Sequence, residues 1–208
     1  MLKEHTVFSK QNVIFLQQSI LCTAPVQPLS AELRRNLDEE LGYDEEHGEN
    51  HYELYIKGLK EELGIDVTNY LPSYHTSAFM GRMLELSNSG NVEIACGAIF
   101  ASEAAAVPEL ELMRSIASSY SKQVLGHDIE MLGLLKNFYD MHLSGVEQAH
   151  REGLAHFIRE YEKYGLNLEK LQSGFHNALN GMSKWWDELI SSTQENRDRR
   201  IGQTDSLA

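Results

Sequence analysis

Two imidazoles and one carboxylate fall within about two and a half helical turns in the stretch Met-His-Leu-Ser-Gly-Val-Glu-Gln-Ala-His, residues 141–150. Glu147 and His150 stand three apart and share a helix face. Helical bundles use this Glu-x-x-His step to aim a carboxylate and an imidazole at one metal ion. Glu40, His51 and Glu103 lie upstream. With His142 they make a six-ligand set of mixed nitrogen and oxygen donors. Such a set suits iron or manganese better than a thiolate-rich structural zinc site. Glu103 sits among small apolar residues, where a bare charge is costly and a carboxylate must neutralise, pair or bind a cation. His47 lies seven residues after Glu40 and competes with His51 for the same role.

Helices must position these residues. Apolar periodicity predicts a first helix from about Val7 to Cys22 and a second from a Ser30 cap to Leu41, ended by Gly42. An acidic loop spans 43–50. Helices follow at His51–Leu63, closed by Gly64, and at Tyr74–Leu86. Residues 91–106 are apolar almost throughout and predict a buried central helix. Pro108 is expected to break or kink it and to start the next helix, to about Gln123. Residues 128–145 and 146–164 read as one long helix or two collinear ones, and Leu168–Ile190 as the last. The polar segment 191–208 predicts a disordered tail. No period-two alternation is long enough for a sheet. The fold class is all-α: one domain over residues 1–190, a bundle of seven or eight helices.

The 208 residues are 42% hydrophobic, enough for one ordinary core. A net charge of -13 argues against nucleic acid and against anionic membranes. The two cysteines, Cys22 and Cys96, form no CxxC and suggest neither a disulfide framework nor a cysteine zinc site. With no leader-like or spanning segment, a cytoplasmic protein is expected.

The words Asn36-Leu37-Asp38-Glu39-Glu40-Leu41-Gly42 and His51-Tyr52-Glu53-Leu54 precede Glu103 with Val107-Pro108-Glu109, then His142 with Glu147 and His150. In order and flanking residues they resemble the haem-oxygenase-like di-iron oxidases and oxygenases. That family includes the chlamydial death-domain-associated protein and shares its fold with thiaminase II (TenA-like) and with the pyrroloquinoline-quinone synthesis (PqqC-like) oxidase. The resemblance covers roughly residues 10–185. It implies two non-haem iron ions, with manganese as the alternative, held by Glu40, His51, Glu103, His142, Glu147 and His150. Glu103 would be the candidate bridge. It further implies O2 and a small amine, amino acid or carboxylic acid as reactants, and a homodimer.

Glu147 stands where the family usually has Asp. The family also places the carboxylate four and the second histidine seven residues after the first histidine. Here the steps are five and eight. On a regular helix five residues leave His142 and Glu147 about 140° apart. One extra residue in a π-bulge would restore a common face, and Gly145 tolerates the distortion. A π-bulge or break is therefore expected at 144–146.

Phe100, Phe138, Tyr139 and Met141 are candidate pocket residues, and Lys136 a candidate partner for a substrate carboxylate. Three other readings stay open. One is a metal-free thiaminase-like hydrolase using Cys96, which lies seven residues before Glu103 on one face. Another is a non-catalytic helical interaction protein. The last is a haem protein with His142 or His150 as axial ligand.

Overall fold

A computed structural model describes residues 1–43, 50–126, 128–129 and 133–205, with side chains as far as Glu195. Among the described residues there are eight α-helices and no strand: α1 (Leu2–Thr23), α2 (Gln27–Glu40), α3 (His51–Leu63), α4 (Tyr74–Ser87), α5 (Val92–Tyr120), α6 (Leu134–Met141), α7 (Glu147–Arg159) and α8 (Leu168–Asp205). The all-α class and the helix number agree with the sequence. No helix among these residues is long and apolar enough to cross a membrane.

Several helix ends differ from the sequence reading. Helix α1 begins at Leu2, not near Val7. Its first turn is polar, and its partners lie far downstream. Glu4 accepts hydrogen bonds from the Ser73 N–H at 3.2 Å and from the Tyr70 hydroxyl. Helix α2 begins at Gln27 with Pro28 in its first turn, where the missing N–H costs nothing. Ser30 is no cap; its hydroxyl donates to the Ile20 carbonyl at 3.2 Å. Pro108 does not end the central helix, and α5 runs through it to Tyr120. An interior proline costs about 3 kcal/mol. Burial on both sides of it, at Ala101 and Ser102 and at Leu110 and Met113, outweighs that cost. Helix α8 continues past Ile190 to Asp205, so the segment expected to be a disordered tail is helical that far.

Helices α5 and α8 form the centre and cross at close range. A Cβ on Gly97 would stand 2.1 Å from the Leu171 carbonyl oxygen, and one on Gly174 2.2 Å from that of Ile94. Only glycine permits this approach. Two apolar clusters flank the crossing. One gathers Phe8, Phe15, Leu33, Phe79, Ile99 and Trp185; the other gathers Tyr55, Leu59, Met113, Leu135, Phe138 and Tyr139. The start of α6 is capped from α3: the Glu62 carboxylate accepts from the N–H groups of Gly133, Leu134 and Leu135 at 2.7, 2.7 and 2.9 Å. This cap sets α6, and hence His142, against α3.

Candidate metal centre

The six sequence-predicted residues converge in one buried region. Glu40 is the last residue of α2, and His51 the first of α3. The Asn50 side chain caps α3 by accepting from the Glu53 N–H at 3.0 Å, which fixes the direction in which His51 leaves the helix. His47 lies outside the described residues. Glu103 comes from the middle of α5, His142 from the end of α6, and Glu147 and His150 from the first turn of α7.

Residues His142–Val146 form a π-helical turn, and Gly145 within it takes φ 136° and ψ -11°. The expected π-bulge is thus present, on the residue whose missing Cβ allows it. It brings His142 Nε2 to 3.9 Å from Glu147 Oε1 despite the five-residue step. His150 Nδ1 is 4.0 Å from Glu147 Oε2 and 3.4 Å from Glu103 Oε2. His51 Nδ1 is 3.3 Å from Glu40 Oε2, and the His51 and His142 rings meet edge to face at 4.6 Å.

Two triads have ligand atoms all within 4.8 Å of one another: Glu40, His51 and His142; and Glu40, Glu147 and His150. Glu40 belongs to both and occupies the shared position. Glu103, which the resemblance would make the bridge, instead faces His150.

Outer partners orient two of the imidazoles. His142 Nδ1 contacts the Phe138 carbonyl oxygen at 2.7 Å, so this nitrogen carries the proton and Nε2 faces the cavity. His150 Nε2 is 2.7 Å from Glu39 Oε2, and Arg35 holds Glu39 from the solvent side. His150 Nδ1 is left buried, with no hydrogen bond.

The protonation balance reflects crowding. Burial disfavours charge on Glu40, but His51, His142 and His150 outweigh it and hold the carboxyl well below its ordinary range. Burial, then the nearby Glu103 charge, drives Glu147 well above its range. Burial lowers His142 to about 4. It works the same way on His150, yet the carboxylates facing its two nitrogens outweigh it and push the imidazole up to about 11. Carboxylates so close together hold protons, because one imidazolium offsets only part of their charge. A hard or borderline dication would offset the rest, and oxygen and imidazole donors with no thiolate suit iron or manganese. The residues present therefore fit such an ion, which would take the place of the proton on the buried His150 Nδ1.

The model of the family described as "Domain of Unknown Function with solved-structure structure (DUF3865)" matches residues 1–192. The chain belongs to this family. It is similar to a CADD-like protein of unknown function from Nostoc punctiforme PCC 73102, known from two crystal structures. In one the identity is 29% and the TM-score 0.78, over 91% of this chain and 79% of that one. In the other they are 28% and 0.76, over 94% and 79%. No curated protein matches the chain. The likeness to the chlamydial death-domain-associated protein and the haem-oxygenase-like bundle, both read from the sequence, are borne out.

In this DUF3865 member the cavity beside the triads is also lined by His5, Phe8, Ser9, Asn12, Ser102, Ala106, Glu109, Leu110 and Phe138. Sequence reasoning missed His5, Glu109 and the outer-shell Glu39. His5 stands three and seven residues before Phe8 and Asn12, at helical spacing, but a first helix beginning near Val7 leaves it outside. Glu39 was visible only as the neighbour of Glu40. Of the residues proposed for the pocket, Phe138 lines it. Phe100 instead faces a surface groove with Phe175, while Tyr139 and Met141 pack in the second apolar cluster. Lys136 pairs with Asp140 and does not line the cavity. Cys96 is buried in the first apolar cluster, away from the cavity, and burial pushes its thiol up to about 12. That environment does not suit a nucleophile.

Proposed function

We propose that this chain is a non-haem di-iron protein that uses O2 to oxidise a small amine, amino acid or carboxylic acid. The observation that carries the reading is the pair of buried triads sharing Glu40, one of them completed by a π turn. Manganese is the alternative metal for the same donors. Glu40, His51, His142, Glu147 and His150 would hold the ions, with Glu103 against His150. When bound, such ions supply the electrons that activate O2.

The chain's own residues have separate tasks. Glu39 and the Phe138 carbonyl fix the two imidazoles so that no reorientation is needed on loading. Phe8, Leu110 and Phe138 shield the cavity from water, while Ser9 and Asn12 offer it hydrogen-bonding groups. The test is an anaerobic iron(II) titration followed by exposure to O2. Two irons per chain are expected, oxidised together with O2 consumption, and Glu103→Ala or His150→Ala should weaken uptake. No iron bound, or uptake indifferent to both substitutions, sinks the proposal.

A further inference from the structure

One buried carboxyl in the cavity has no role in the triads. Glu109 lies on α5 six residues after Glu103, is 6% exposed and lines the same space. Its Oε1 has no hydrogen-bond partner. His5 Nε2 is 3.8 Å away, beyond hydrogen-bond reach. Burial keeps His5 neutral, its imidazole lowered to about 3, so it supplies no counter-charge. Burial likewise raises Glu109 to about 8. The Trp186 indole donates a hydrogen bond to the carboxyl, leaving Oε1 as the unpaired oxygen, and stacks on His5 with ring centroids 6.5 Å apart. Natural proteins rarely leave a buried polar atom unsatisfied, and such atoms concentrate where a ligand completes them.

The charge of that ligand follows from the lining. Among the described residues of the cavity wall there are four glutamates and no Lys or Arg. Metal ions would neutralise Glu40, Glu103 and Glu147, whereas Glu109 lies outside both triads, and an ammonium group placed beside it would pair with its carboxylate form. A substrate carboxylate would find no cationic side chain on this wall to pair with. We infer that Glu109, with His5 beside it, receives the protonated amino group of the substrate and selects small amines over carboxylic acids. The inference rests on the di-iron reading in taking this cavity as the substrate site.

The test is calorimetric titration of the full chain with three probes of one shape: propylammonium, 1-propanol and propionate. Iron content is measured on the same samples. A hydrogen bond to a charged group is worth about tenfold or more in affinity. Propylammonium should therefore bind at least roughly tenfold tighter than the other two. Glu109→Gln should abolish that preference while iron uptake stays as in the parent chain. Quenching of tryptophan fluorescence by propylammonium, lost in Trp186→Phe, places the probe at Glu109. Equal binding of propionate, or an undiminished preference in Glu109→Gln, overturns the inference. Should Glu109→Gln not fold, the ranking of the three probes on the parent chain decides. A chain that takes up no iron but keeps the ammonium preference overturns the di-iron reading and leaves this site standing.

Discussion

Replacing Gly145 by alanine tests the link between backbone and metal centre. A Cβ there meets nothing within 4 Å, so the substitution has no steric cost against neighbours. The cost is conformational. At φ 136° and ψ -11° a residue with a Cβ is strained by about 1–3 kcal/mol. Alanine also favours the competing regular α-helix over glycine by about 1 kcal/mol. Together these shift the balance between π turn and regular helix by about 2–4 kcal/mol, roughly 30- to 1,000-fold. On the regular path His142 turns about 140° away from Glu147 and leaves the triad with Glu40 and His51. Anaerobic iron(II) titration should then show one of two iron sites weakened by up to that factor, while circular dichroism keeps its helical signal. Deleting Gly145 gives the complementary result. His142, Glu147 and His150 would then stand at steps of four and seven, which a regular helix places on one face, and both sites should survive. If Gly145→Ala binds two irons with unchanged affinity and melts like the parent, the π turn does not position His142 and the reasoning fails.

Glu39→Gln should weaken iron binding roughly 10- to 100-fold in a chelator competition, because it loosens the 2.7 Å contact that holds His150 while removing no triad ligand. Gly97→Ala forces a Cβ against the Leu171 backbone and should destabilise by about 1–3 kcal/mol, lowering the melting temperature by roughly 2–4 °C for each kcal/mol. Glu109 links stability to pH: burial raises its carboxyl from 4.5 to about 8, so folding favours the protonated form. That contribution is full below about pH 4.5 and is lost as pH rises through 8. Denaturant melts of the metal-free chain should therefore show Glu109→Gln losing less stability than the parent between pH 5 and 8, and parallel curves would contradict the assignment.

Helix class and several helix boundaries were legible in the sequence because they rest on short-range regularities, and the six candidate ligands because their order and flanking words resemble a known family. Apolar spacing at 3.6 residues marks α3 and α4, and Gly64 ends α3 with a left-handed stop. The π turn was legible for a similar reason. A five-residue step that cannot share a helix face, with a glycine inside it, admits few solutions.

What the sequence could not show depends on partners distant along the chain. The first turn of α1 is polar and aperiodic, and only Tyr70 and Ser73 justify its burial. Pro108 carries a strong local signal to stop, which tertiary burial of both halves of α5 overrides. Glu40 and not Glu103 falls in both triads because the end of α2 and the start of α7 approach in space, a matter of helix packing rather than spacing. The same packing brings Glu39 to His150 across 111 residues, and the packing of α1 on α5 brings His5 beside Glu109. The sequence by itself determined which side chains could bind a metal. Only the tertiary structure decided which nitrogen of each oriented imidazole faces the centre and which carboxylate is shared. It also left Glu109 Oε1 buried without a hydrogen bond, and all of these depend on distances of a few ångströms between elements that no local pattern encodes.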